Sequence, residues 1–167
     1  GEFKIEGTYR ENAGETLDSI IHSVEVPGGL LDRPWMQPIY DDPEFIVHNV
    51  WRLYGGWFDG NPARLKPAPE SALAAELASL CGGSPRLAER ALELAGDGEL
   101  RLAGHLAELA AQADPDGPEV HAARAEVNRA RVAAETSLMA KGIFGWAEHV
   151  STGIASRDDG PDGGDRR

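Results

Sequence analysis

The sequence predicts an all-α fold of stacked antiparallel helical hairpins, preceded by an irregular N-terminal arm. Three observations predict it. Apolar residues recur at i, i+3, i+4 and i+7 spacing along most of the chain. From Pro69 onward the texture turns alanine-rich, broken at short intervals by glycine pairs and by proline-containing turns. The sole alternating stretch, Glu2 to Glu6 with Phe3 and Ile5, is a short, weak strand signal at the very start.

The elements follow in order. Thr16 is placed to cap a first helix whose Leu17, Ile20, Ile21 and Val24 share one face, with Pro27-Gly28-Gly29 as its stop. An irregular stretch containing Pro34 and Pro38 leads to Asp42-Pro43-Glu44, an oxygen cap followed by proline in the first turn. The second helix carries Val47, Val50, Trp51 and Tyr54 and ends at Gly55-Gly56. A turn-rich loop then runs from Trp57 to Pro69 through Asp59-Gly60 and Asn61-Pro62.

Helices are expected at Glu70–Cys81, Arg86–Ala95, Glu99–Gln112, Glu119–Glu135 and Ser137–Val150. Alanine at the contact positions lets neighbouring helices approach closely. With Gly98 as an inter-helix turn, Ala103, Ala110 and Pro115 take the small, small and terminal-proline positions of a tetratricopeptide-like hairpin. Ala91 takes the small position of the preceding helix, while the large aromatic positions of that pattern are missing. Residues 1–11 read as an N-terminal arm or an added remnant, 12–150 as the helical domain, and 151–167 as a disordered polar tail.

Length and composition bound the function. The 167 residues allow one domain, and 41% hydrophobic content is enough for a core. A net charge of -12 disfavours nucleic acid and anionic membrane surfaces as partners. No apolar run is long enough to span a membrane. The charged first residues do not resemble a signal peptide, which favours the cytoplasm. A single cysteine, Cys81, excludes an intrachain disulfide; at the end of an apolar helix, with no base nearby in sequence, it reads as a buried structural thiol.

Catalytic patterns are not visible. His22, His48, His105, His121 and His149 are scattered, and none forms an HxH, HExxH or comparable ligand pattern. His105 and Glu108 make one i, i+3 pair, where helix-bundle metal sites require several such inputs. There is no GxSxG elbow, and the glycine pairs follow helices rather than strands, so neither opens a phosphate-binding turn.

The dense feature is Trp51-Arg52-Leu53-Tyr54-Gly55-Gly56-Trp57-Phe58-Asp59-Gly60-Asn61-Pro62. Four aromatic rings in eight residues are costly unless buried, either in the chain's own core, against a partner, or around a ligand. Trp51, Tyr54, Trp57 and Phe58 are therefore candidate anchors, and Asp59, Gly60, Asn61 and Pro62 the turn that fixes the loop.

The run from His48 through this motif to Leu65 strongly resembles the dimerisation domain of alkyl sulfatases in the metallo-β-lactamase superfamily. Asn12-Ala13-Gly14-Glu15-Thr16-Leu17-Asp18, then Pro27, Leu30, Pro34-Trp35 and Tyr40, extend the likeness upstream. Gly82-Gly83, Ala91, Gly96-Asp97 and Asp114-Pro115 extend it downstream, so that it covers about residues 12–150. The resemblance implies a helical module that follows a zinc-dependent catalytic domain and embraces a second copy of itself. Its relatives' HxHxDH metal signature belongs to that catalytic domain and is missing here, so no catalytic, cofactor-binding or metal residue is assigned to this chain. The expected function is non-catalytic homodimer assembly of a sulfate-ester hydrolase, with zinc confined to the full-length enzyme. Two other readings remain at this level: a tetratricopeptide-like scaffold binding a peptide or protein, with Asn128 and Arg124 projecting into its groove, and a complete small enzyme.

Overall fold

The computed structural model describes residues 10–26 and 29–157, and over these the fold is all-α. The weak strand expected at Glu2 to Glu6 lies outside the described residues. The chain divides into two compact units, Gly1–Pro67 with Thr136–Met139, and Ala68–Glu135 with Ala140–Arg167.

In the first unit, α1 (Leu17–Ser23) begins where Thr16 accepts a hydrogen bond from the Ser19 N–H, at 3.2 Å. The helix is one residue shorter than its apolar pattern suggests. Val24 is the cap in extended conformation, its N–H still bonded to the Ile20 carbonyl. Helix α2 (Pro43–Tyr54) starts at Asp42, whose carboxylate accepts from the Glu44 N–H at 2.8 Å, with Pro43 in the first turn. The two helices pack together around Ile20, Val47 and Val50, all buried. Between them a short 3-10 turn, Pro34–Met36, interrupts an otherwise irregular arm. Residues 136–139 complete this unit, where the Leu138 and Met139 N–H groups donate to the Ile39 and Tyr40 carbonyls at 2.8 and 3.2 Å.

The second unit contains α3 (Glu70–Cys81), α4 (Ser84–Gly96), α5 (Leu100–Ala113) and α6 (Pro118–Ala134). Gly82, at φ +92°, ends α3 in the left-handed conformation, and the Gly83 N–H closes back on the Ala78 carbonyl at 2.7 Å. Gly98, at φ +85°, makes the tight link between α4 and α5. Helix α5 packs against α3, α4 and α6, and α4 also packs against α6. Alanine permits this. Ala91, Ala103, Ala107 and Ala110 are fully buried, and Leu87, Leu94, Val120 and Val127 fill the spaces between them. Cys81 is exposed rather than buried: as the last residue of α3 it faces outward beside the turn.

The last helix, α7 (Leu138–Ala155), runs five residues beyond the expected end at Val150. Residues 151–155 therefore belong to the helix and not to a disordered tail. The physical reason is Ser151, which is fully buried and whose hydroxyl accepts from Arg124 Nη1 at 2.7 Å. Three α6 arginines fasten α7. Arg124 also donates to the Ala147 carbonyl at 3.2 Å, and Arg129 pairs with Glu148 at 2.8 Å. The Arg131 guanidinium lies 3.7 Å from the centre of the Phe144 ring. Gly104 of α5 makes room for it, since a Cβ there would stand 2.6 Å from Arg131 Nη1. The residues that α7 buries are small: Ala140, Ala147 and Ser151.

Arg124 is the centre of a polar cluster. Its Nε and Nη2 reach Glu108 Oε1 at 2.8 and 2.6 Å. His121 Nε2 lies 2.9 Å from the Pro115 carbonyl, so that nitrogen donates, and Nδ1 at 3.2 Å accepts the Ser151 hydroxyl proton. Asn128, also buried, donates to the Arg124 carbonyl at 3.0 Å. Arg124 and Asn128 are thus engaged inside the unit. Neither projects into a groove, as a tetratricopeptide-like peptide binder would require.

Candidate functional site

The aromatic motif begins on α2 and turns sharply after it. Gly55 caps the helix, its N–H bonded to the Trp51 carbonyl at 2.7 Å, and Gly56 takes φ +87°. The chain then doubles back, and the indole N–H of Trp51 donates to the Phe58 carbonyl at 3.1 Å. Trp57 meets Phe58 edge to face, with ring centres 6.1 Å apart.

Asp59 organises the turn. Its carboxylate accepts from the Asn61 N–H at 2.9 Å and from Arg64 Nη1 at 2.6 Å. Asn61 caps the following 3-10 turn, Pro62–Arg64, through the Ala63 N–H at 3.0 Å. The Asp59 carbonyl reaches farther in sequence and accepts the Leu17 N–H at 3.2 Å. That N–H is one of the donors a helix start leaves unsatisfied, so the loop and the Thr16 side chain cap α1 together. Gly60, at φ +91°, lies flat against Thr16; a Cβ there would approach Thr16 Cγ2 to 2.9 Å.

The Arg64 side-chain hydrogen bond holds the Asp59 carboxyl below the usual carboxylate range, aided by the Asn61 N–H and opposed by burial. A depressed value means the turn's contribution is complete above the ordinary pKa of 3.8 and is lost as pH falls through the lower folded value. The expected outcome is an acid-side loosening of this loop that Asp59→Asn removes. Trp51 fluorescence followed from pH 6 to about 2 checks it, in wild type and variant alike.

The structure splits the predicted aromatic set. Trp51 and Phe58 are half-buried and tied to each other within the chain, whereas Tyr54 and Trp57 are 56% and 73% exposed. Asp59 and Gly60 are partly buried, and Asn61 and Pro62 lie at the surface. Missing from the sequence reading was the link from this turn back to α1. Its signal, Thr16 as a cap residue, was visible, but a carbonyl's partner leaves no mark in residue type. As for metal, no group of three or more His, Cys, Asp or Glu residues among the described residues could hold an ion. Glu108 is taken by Arg124 and His105 is exposed, so the α5 pair supplies no donor set for zinc.

A family described as alkyl sulfatase dimerisation matches residues 16–152, nearly the whole described chain. The chain belongs to the alkyl sulfatase dimerisation family. Among curated relatives, a linear primary-alkylsulfatase of a Pseudomonas species is 31% identical over 110 residues, covering 63% of this chain and 20% of that protein. An alkyl/aryl-sulfatase of Saccharomyces cerevisiae is 30% identical over 105 residues, covering 63% of this chain and 16% of its own length. The chain thus spans about a fifth of the alkylsulfatases it matches. Among solved structures, the stereoselective inverting sec-alkylsulfatase Pisa1 from Pseudomonas sp. shares the fold at a TM-score of 0.78 and 23% identity. That match covers 92% of this chain and 24% of Pisa1.

Proposed function

We propose that this alkyl sulfatase dimerisation domain is a non-catalytic module that joins two copies of a sulfate-ester hydrolase. The observation that carries this reading is the family match across residues 16–152. The large apolar side chains left at the surface of both units support it, among them Trp35, Trp57 and Trp146, since apolar surface on this scale marks interaction sites. In this reading the catalytic work falls to a metallo-β-lactamase-type domain that carries the zinc ligands, and this chain supplies the homodimer contact. Of the motif residues, Tyr54 and Trp57 remain candidates for that contact. Trp51, Phe58, Asp59, Gly60, Asn61 and Pro62 hold the loop that presents Trp57, and Tyr54 closes α2 beside it.

Sedimentation equilibrium at micromolar concentration tests the reading. The expected species is a dimer of the 17.9 kDa chain. A monomer at every concentration up to the solubility limit overturns it.

A further inference from the structure

We propose that the arm before α2, together with the first turn of α7, forms a self-complementary patch that a second copy of this chain covers. The inference rests on the dimerisation reading and adds to it a second surface, in addition to the aromatic motif's Tyr54 and Trp57. The patch consists of Trp35, Met36, Ile39, Tyr40, Leu138 and Met139, all in the first unit and exposed by 38% to 77%.

Its backbone is held in place while its side chains face outward. The Ile39 and Tyr40 carbonyls accept the Leu138 and Met139 N–H groups, and the Ser137 hydroxyl donates to the Tyr40 carbonyl at 3.0 Å. These bonds satisfy amide donors at the start of α7, and so bring two sequence segments about a hundred residues apart into one surface. The Gln37 side chain donates to the Leu31 carbonyl, and Pro34 and Pro38 stiffen the segment further. An arm fixed in this way loses little freedom on binding, which favours association.

Area and charge select the occupant. At about 150–250 Å² for each large side chain, the exposed part of the six comes to roughly 600 Å². That is at or above the largest patch of a typical monomer and near the ~800 Å² that each partner contributes to a standard interface. The run Pro34-Trp35-Met36-Gln37-Pro38-Ile39-Tyr40 has no charged residue, in a chain that is 26% charged and carries -12 overall. Two copies of so acidic a chain repel wherever charged faces meet, and an uncharged apolar patch is where they can touch. Contact of a patch with its own copy is also the arrangement that a two-fold dimer requires.

Sedimentation velocity on the 167-residue chain tests this with three variants, Trp35→Glu, Tyr40→Glu and, as a control at an exposed polar position of α7 in the second unit, Thr152→Glu. The expected result is a dimeric wild type and control, with dimer dissociation constants raised at least about 30-fold in both patch variants and helical circular dichroism retained. If either patch variant loses helicity, Trp35→Ser replaces it and is expected to weaken the dimer in the same direction. A dimeric wild type whose patch variants remain equally tight overturns the assignment and leaves the dimerisation reading intact. A monomeric wild type overturns both.

Discussion

Replacing Arg124 with alanine is expected to destabilise the second unit by about 3 kcal/mol, the largest effect of any single change suggested by its polar cluster. The side chain is nearly buried and donates at once to Glu108, to Ser151 and to the Ala147 carbonyl. Its removal opens a void beneath α7 and leaves the buried Ser151 hydroxyl, which still donates to His121, without its donor, while the Ala147 carbonyl keeps its partner within the helix. Glu108 loses less, because it is half exposed and water can replace the guanidinium. Urea unfolding followed by helical circular dichroism measures the loss. Arg129→Ala, which breaks an exposed pair with Glu148, is the reference and should cost at most about 0.5 kcal/mol. If the two variants unfold alike, the cluster is not what fastens α7.

Gly60→Ala is expected to cost about 2 kcal/mol in the first unit, through backbone and contact together. Alanine at φ +91° carries the left-handed penalty, and its methyl would meet Thr16 Cγ2 at 2.9 Å and the Thr16 Cα at 3.4 Å. Relief requires the loop to lift from α1, which removes the Asp59 carbonyl from the Leu17 N–H. Hydrogen exchange at the Leu17 amide should therefore quicken along with the loss of stability. Unchanged exchange there would show that the loop does not cap α1.

The helices were legible because their signals are local. Asp42-Pro43 and the Thr16 cap lie where the sequence places them, and Gly55, Gly82 and Gly98 end or join helices as glycine does in such turns. The alanines at 91, 103 and 110 are buried as close helix packing demands. Helix ends were less legible. Nothing in the apolar pattern of Ile143 to Val150 foretells that a serine at 151 is buried, because its place is set by an arginine on another helix. The same holds for Cys81, whose exposure depends on which side of α3 faces the core. In the aromatic motif, ring density does not separate Trp51 and Phe58, which are half-buried, from Tyr54 and Trp57, which are exposed. The arm read as irregular for want of periodicity, and irregular backbone carries no sequence signal for what it exposes.

The alanine core of the second unit has a consequence for how this domain can vary. A core of leucines degrades by truncation, because each lost methylene opens a cavity. Here most buried positions between helices have just one methyl group to lose, and little void can form. Enlargement is the dangerous direction: at Ala91, Ala103, Ala107 or Ala110, fully enclosed, each added carbon must push two helix axes apart. Drift in such a domain meets a ceiling on side-chain volume rather than a floor, and the helix spacing stays fixed beneath whatever the surface carries.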